Sequence, residues 1–311
     1  MEFFKHNTQI DFMAQRKGAA LLSTVLFIIS LVVLFINGLT FGLDFTGGTQ
    51  VQLKFADSVN IEDIQTKLAR AGFPEATVVS YGTSKEVLVT LVSSDTKEGI
   101  QSTDAQAALV KKVVSALPGA ILEEVSSVGS QVGKEMTTKG LIAVIVALLG
   151  TMVYIAFRFD FRFAIGSTVA LIHDPILILG IFSYLHVEFN LVALAAVLTV
   201  IGYSLNDTIV IFDRVRENFR KLRKANPIEV MNQAINQTLS RTIMTSALTL
   251  TVVLALFFLG GTSLHGFALA LIIGIVIGTY SSIYVAGSLA IWLGLDREHL
   301  VPTPKIVDST P

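Results

Sequence analysis

Long apolar runs alternate with short polar segments along most of this 311-residue chain. Six of the runs are long enough to cross about 30 Å of hydrocarbon as helices. They are Gly18–Leu39, Gly140–Phe157, Phe163–Leu185, Phe189–Phe212, Ile243–Gly260 and Gly266–Leu293. With 52% hydrophobic and only 15% charged residues, the chain carries more apolar material than a soluble core of this length uses. We therefore expect an α-helical integral membrane protein with six transmembrane helices.

The one long polar segment, residues 42–139, has the periodicity of a small α+β domain. Apolar alternation predicts strands at Thr49–Phe55, Ala76–Tyr81, Glu86–Val92 and Ala120–Val128, and helical spacing predicts helices after Asn60 and over Thr103–Leu117. The resulting βαββαβ order is the split βαβ pattern of ferredoxin-like domains. Because the segment contains no His and no Cys, we expect an interaction or lever role for it rather than catalysis.

Basic residues are distributed unevenly between the two sides of the six runs. Lys and Arg occupy the N-terminal tail, the loop Arg158–Arg162 and the loop 213–242, whereas the opposite short loops, His186–Glu188 and Gly261–His265, have none. By the positive-inside rule, the termini and the basic loops are cytoplasmic. The polar domain then lies on the opposite side.

These patterns divide the chain into five parts. They are a tail at 1–17, a first membrane helix at 18–41, the outer domain at 42–139, membrane helices two to six at 140–294 with the basic loop 213–242, and a tail at 295–311. The first run has an apolar core of about 20 residues, which exceeds the 7 to 15 of a signal peptide. We therefore interpret it as an uncleaved anchor.

The chain contains no cysteine, which excludes disulfide bonds and metal sites with thiolate ligands.

An aspartate lies inside the fourth apolar run. Asp207 is accompanied by Ser204 and Asn206, and it lies about 9 Å from the cytoplasmic end of the span at 1.5 Å per residue. A carboxylate at the centre of a membrane helix costs roughly 2.5 to 3.5 kcal/mol even on the lenient insertion scale. Asp207 therefore requires a partner, a proton or a function. Asp213, further along, is expected at the headgroups.

Two other spans carry polar residues with open interpretations. His173 and Asp174 lie near the middle of the third span, directly before Pro175, and they are either part of a functional site or a satisfied pair that fixes helix register. Arg241 precedes a row of Thr and Ser residues at the start of the fifth span. It either anchors the helix end among headgroups or faces Asp207, which has a comparable depth.

Small residues mark two further features. Gly274, Gly278 and Ser282 recur at four-residue intervals in the sixth span and predict close helix packing. Directly after the first span, the segment Phe41–Thr49 contains four residues of note, Gly42, Asp44, Gly47 and Gly48. Glycines permit a turn there, whereas a phosphate cradle requires a following helix and a strand follows instead, which disfavours nucleotide binding.

Several segments together resemble the SecF subunits of the bacterial protein-export machinery, a branch of the SecD/SecF family within the resistance-nodulation-division superfamily. The matching segments are Phe41–Thr49, Phe157–Ala164, Ala170–Asp174, Gly202–Lys221 and Gln237–Ser246. They follow in the family's order and cover nearly the whole chain. The residues after His299 add nothing to this resemblance.

The resemblance implies a multi-pass protein of the bacterial inner membrane with cytoplasmic termini and a periplasmic ferredoxin-like domain. It implies pairing with SecD in a twelve-span unit that acts beside SecYEG and YajC and uses the proton-motive force to help draw preprotein outward. The residues that match the family's proton-flow positions are Asp207 and Arg241, and we add Asp174, His173, Ser204 and Asn206 as further relay candidates. No metal, other cofactor or nucleic acid is implied, and protons are the coupling ion.

Two alternatives to proton coupling follow from the same residues. The chain is a structural adaptor if its polar membrane residues only fix helix packing. It is an intramembrane aspartyl protease if Asp174 and Asp207 form a carboxylate pair. The residues before Asp207 are Ser, Leu and Asn rather than the Gly-x-Gly of such proteases, and a carboxylate separation beyond about 5 Å removes the sharing of one proton that the pair requires.

Overall fold

The computed structural model describes residues 8–92, 103–222 and 224–296. After a short 3-10 turn, Met13–Gln15, the elements are α1 Arg16–Asn37, α2 Leu43–Thr46, β1 Gly48–Lys54, α3 Ile61–Arg70, β2 Thr77–Tyr81, β3 Thr83–Leu91, α4 Thr103–Ala116, β4 Ile121–Val128, α5 Ser130–Arg158, α6 Phe161–Leu185, α7 Leu191–Lys221, α8 Pro227–Leu259, α9 Thr262–Ser281 and α10 Gly287–Trp292. A π-helical segment, Ser282–Ala286, joins the last two into one long helix.

Six helices of the described chain are long and apolar enough to cross a membrane. They are α1, α5, α6, α7, α8 and the continuous helix formed by α9, the π-helical segment and α10. This number agrees with the six runs predicted from hydropathy. The helices are longer than the runs because polar turns continue them beyond the apolar part.

The basic segment 213–242 between the fourth and fifth apolar runs is largely helical. Helix α7 continues to Lys221, and α8 begins at Pro227 and runs without a break into the fifth span. Asn226 and Glu229 form a capping box at the start of α8, as their spacing indicates. A charged helical turn stays solvated outside the apolar part of a membrane helix, so the positive charges end the apolar run without ending the helix.

The membrane helices differ strongly in burial within the chain. In their most apolar windows, 61% of α6 and 56% of α7 is buried, but only 11% of α5 and of α8. Large side chains such as Phe163, Phe182 and Phe212 are fully buried between the central helices. Helices α6, α7 and α9 therefore form the centre, and α1, α5 and α8 present wide apolar faces to lipid or to another protein.

The polar domain contains a four-stranded antiparallel sheet with strand order β2-β3-β1-β4. Alternate residues of β1 are buried, and its inward-facing Val51 and Leu53 are fully inaccessible. They pack with Val89 of β3 and with Leu68 and Val113 of α3 and α4. The two helices thus cover one face of the sheet.

The sheet also contacts the loops of the membrane part at two points. The Tyr81 hydroxyl donates to Ser263 Oγ over 3.3 Å, next to the turn at Gly82. Gln50 on β1 donates from Nε2 to Glu188 Oε1 over 3.1 Å. The outer domain therefore contacts the start of α9 at one point and the α6–α7 loop at another.

Candidate functional site

A buried carboxylate joins the three central membrane helices. Asp174 on α6 is fully inaccessible, and its Oδ2 accepts hydrogen bonds from Ser204 Oγ at 2.7 Å and Ser281 Oγ at 2.8 Å. The Nδ1 atom of His173 lies 3.0 Å from Asp174 Oδ1. The three predicted relay residues His173, Asp174 and Ser204 therefore meet, and Ser281 joins them.

Asp207 lies one turn beyond Ser204 on α7 and outside this hydrogen-bond network. The residue is only 3% exposed, and its Oδ2 atom is buried with no hydrogen-bond partner among the residues that the structure describes. The neighbouring Thr208 instead donates to the Ser204 carbonyl and to Ser282 Oγ. A buried polar atom without a partner costs roughly 1 to 3 kcal/mol. Among the described residues, His173 Nε2 and Ser288 Oγ share this state, and Asp207 is the carboxylate among them.

Arg241 and Asn206 do not complete the environment of Asp207. Arg241 is exposed on α8, and no carboxylate of the described chain lies within 4.0 Å of it. Its charge still reaches Asp207 electrostatically. Asn206 is exposed on α7. Arg241 therefore forms no ion pair with Asp207, and both Arg241 and Asn206 are open to contact from outside the chain.

Helix α9 approaches α7 closely at its small residues. A β-carbon at Gly278 would lie 3.1 Å from Ser204 Cβ, and one at Gly274 would overlap Val200. Ser282 donates to the Ser204 carbonyl over 3.2 Å. The row Gly274, Gly278 and Ser282 thus packs against the helix that carries Asp207, and at Ser282 the helix enters its π-helical segment, a distortion that frequently occurs at functional sites.

Sequence reasoning missed a second polar ladder between α7, α8 and α9. Tyr203 donates to Ser246 Oγ over 3.3 Å, and Ser246 lies 2.9 Å from Thr279 Oγ1. Ser281 was missed as well. Hydroxyl residues are common in membrane helices, and only the relative rotation of the helices reveals which of them meet.

The glycine-rich segment Phe41–Thr49 forms a compact loop rather than an open turn. Gly47 and Gly48 both have positive φ, 66° and 121°, and a β-carbon on Gly48 would overlap the Leu91 carbonyl. Gly42 is packed so tightly that a β-carbon there would overlap Glu188 and lie 2.9 Å from Asn190 Cβ. Burial raises the pKa of the Glu188 carboxyl, and the nearby Asp44 raises it further, while the Gln50 amide opposes the shift.

We expect Gly42→Ala to destabilise the purified protein in detergent by about 1 to 3 kcal/mol, the usual cost of overpacking. The added methyl group must displace Glu188 or Asn190. Gly129→Ala is the matched control, because Gly129 also has negative φ but a β-carbon there would meet no atom within 4 Å. Thermal unfolding of both variants checks the difference, and equal melting temperatures would contradict the tight packing.

Two family profiles match the chain. Residues 109–296 match the family described as "Protein export membrane protein SecD/SecF, C-terminal", and residues 32–59 match the "SecD/SecF GG Motif". The second match contains the glycine-rich loop. The first covers the central helices with the Asp174 cluster and Asp207.

Curated relatives match over nearly their full length. The protein translocase subunit SecF of Vibrio alginolyticus is 45% identical over 306 residues, which cover 97% of this chain and 95% of the relative. The SecF subunit of Pseudomonas aeruginosa is 45% identical over 306 residues, with 96% of each chain covered. That of Escherichia coli O157:H7 is 41% identical over 304 residues, with 97% and 93% covered.

Two solved structures of SecDF have a similar architecture. A crystal structure of SecDF from Thermus, described as a translocon-associated membrane protein, matches with a TM-score of 0.83 and 37% identity. A SecDF structure in a super-membrane-facing form matches with a TM-score of 0.68 at the same identity. Each match covers 94% of this chain but only 39% of the SecDF chain. The chain belongs to the SecD/SecF family of protein-export membrane proteins.

Proposed function

We propose that the chain is the SecF-like subunit of a SecDF complex in the bacterial inner membrane. It uses the proton-motive force to assist preprotein translocation through SecYEG, with YajC as a further partner. The observation that carries this proposal is the buried Oδ2 atom of Asp207, which has no partner among the described residues. A carboxylate in that state is poised to bind a proton.

The surroundings of Asp207 favour a site that a second protein completes. Helix α8, which carries Arg241, is one of the least buried membrane helices of the chain. An arginine exposed on such a helix is costly in lipid, so we propose that SecD covers it. The match to 39% of SecDF supports this view, because most of the length of that protein lies outside the part that this chain matches.

The proposed switch depends on the distance between Asp207 and Arg241. Burial disfavours the charged carboxylate and a nearby cation favours it, so a motion that brings the two together releases a proton and a motion that separates them allows proton uptake. One charge that crosses 100 mV provides about 2.3 kcal/mol. This biases a two-state motion by tens-fold but moves a polypeptide only a short way, so each preprotein requires many cycles.

We further propose that residues 42–139 form a periplasmic ferredoxin-like arm that moves during this cycle. The strand order β2-β3-β1-β4 with two helices on one face supports the fold. The two SecDF structures match the chain at equal identity but with different TM-scores, which supports at least two arrangements among relatives.

The two alternatives to proton coupling, a structural adaptor and an intramembrane aspartyl protease, are supported to different degrees. The Asp174 cluster fits a structural adaptor, since hydrogen bonds from Ser204 and Ser281 satisfy its carboxylate and hold three helices in register. The protease hypothesis finds less support, because His173, Ser204 and Ser281 occupy the two Asp174 oxygens and Asp207 lies outside this network.

The proposal is tested by reconstituting the chain with its SecD partner in proteoliposomes. A pH gradient is imposed, and the internal pH is followed with an encapsulated dye. We expect proton flux above that of liposomes with either subunit alone, and gradient-dependent preprotein export in membrane vesicles that contain both subunits. Export without any gradient dependence, together with no flux, would favour the adaptor.

A further inference from the structure

The glycine-rich loop, Phe41–Thr49, has no part in the proton chemistry proposed above, yet it contacts the helix that carries Asp207. Asp44 Oδ2 accepts the backbone N–H of Leu191 over 3.0 Å. Leu191 is the first residue of α7, and Asn190 Oδ1 accepts the N–H of Ala193 over 2.9 Å. Two side chains therefore cap α7, and the one from Asp44 comes from a position 147 residues away in the sequence.

A cap of this kind holds a helix end strongly. The first turn of a helix has N–H groups without partners inside the helix, and the positive end of its dipole attracts a carboxylate. Asp44 satisfies one of these groups and is negatively charged when ionised. It therefore fixes the outer end of α7 to the loop.

Backbone and ring contacts reinforce the attachment. The N–H of Gly42 donates to the Phe189 carbonyl over 2.9 Å, and the N–H of Phe189 donates to the Thr40 carbonyl over 2.8 Å. The rings of Phe45 and Phe189 stack with centroids 5.8 Å apart. The loop and the residues before α7 thus form one continuous unit.

The other end of the loop joins the outer domain. Gly48 begins β1, the central strand that pairs with both β3 and β4. Gly47 lies so close to α5 that a β-carbon at Gly133 would be 2.8 Å from the Gly47 nitrogen. Thr137 of α5 donates to the Phe45 carbonyl over 3.2 Å. The loop is therefore in contact with the base of the outer domain and with α7 at the same time.

We propose that the glycine-rich loop is the joint that transmits movement between α7 and the outer domain, with Asp44 as its positioning residue. The proposal rests on the proposed proton-driven function and names the element that connects its two parts. The glycines fit the same geometry. A β-carbon on Gly42 would overlap Glu188 just before α7, one on Gly47 would lie 2.7 Å from Ser130 Cα of α5, and one on Gly48 would overlap the Leu91 carbonyl of β3.

The joint is tested with Asp44→Ala and Asp44→Asn in the complete complex with SecD. We expect Asp44→Ala to keep complex assembly and gradient-driven proton flux but to lose gradient-dependent export by at least about fivefold, the lower end of typical coupling between sites. Asp44→Asn retains an acceptor oxygen for the Leu191 N–H, and we expect it to restore export.

The outcomes separate the joint from the proton function. Wild-type export in Asp44→Ala would overturn the proposed role of the loop as a joint. A parallel loss of proton flux and export would also overturn it, because the loop would then support the proton site rather than transmit movement. Failure of Asp44→Asn to restore export would also overturn it. A wild-type complex without proton flux would instead overturn the proposed function, whatever the Asp44 variants do.

Discussion

Replacing Asp207 with Asn is expected to remove the gradient-dependent part of preprotein export while leaving the complex intact. Asparagine has nearly the same size but binds no proton at this position, so the membrane potential no longer acts on the site. The free energy lost is up to about 2.3 kcal/mol per charge and 100 mV, which corresponds to tens-fold in the bias of the cycle. Export into inverted membrane vesicles, measured with and without a gradient, checks the result.

Asp213→Asn is the matched control on the same helix. Asp213 forms a half-exposed ion pair with Arg158 at 2.9 Å, and exposed pairs contribute about 0 to 1 kcal/mol. We expect it to export as the wild type does, whereas Arg241→Met behaves like Asp207→Asn. Full gradient-dependent export in both the Asp207 and the Arg241 variant would contradict the proton role. Loss of SecD during purification of Asp207→Asn would favour the adaptor.

Local patterns in the sequence predict most of the fold. The six spans follow from hydropathy, and the alternation of Val51 and Leu53 marks the inward face of a strand. The capping box of Asn226 and Glu229 marks the start of α8. These features are visible because each depends on residues within a few positions of one another, where helix and strand geometry fix the spacing.

The candidate site is less predictable because its contacts span the chain. Ser281 reaches Asp174 across 107 residues, and Asp44 reaches Leu191 across 147. Periodicity assigns a residue to a face of its helix but not to a neighbour, since the rotation and order of helices depend on the whole packing. The residue type alone identified Asp207, because a carboxylate in an apolar run is conspicuous wherever its partner lies.

A disulfide between positions 82 and 262 is expected to stop gradient-dependent export reversibly. A β-carbon at Gly82 would lie 3.3 Å from Thr262 Cβ, slightly below the usual 3.5 to 4.5 Å between the β-carbons of a disulfide. Gly82→Cys combined with Thr262→Cys therefore links the tip of the outer domain to the start of α9. Because the chain has no native cysteine, no other disulfide competes within it. If the domain must leave this contact in every cycle, oxidation reduces export to the level without a gradient, and a reductant restores it.

The single variants separate the effect of the bond from that of the substitutions. Gly82 has φ of 72°, so Gly82→Cys carries the strain of a side chain in the left-handed region, roughly 1 to 2 kcal/mol, whether or not the bond forms. Thr262→Cys alone is expected to export normally. If the oxidised double variant exports as fast as the same variant treated with reductant, the contact between Gly82 and Thr262 persists through the cycle. The moving part would then be confined to the membrane helices, and the outer domain would serve as a fixed docking surface.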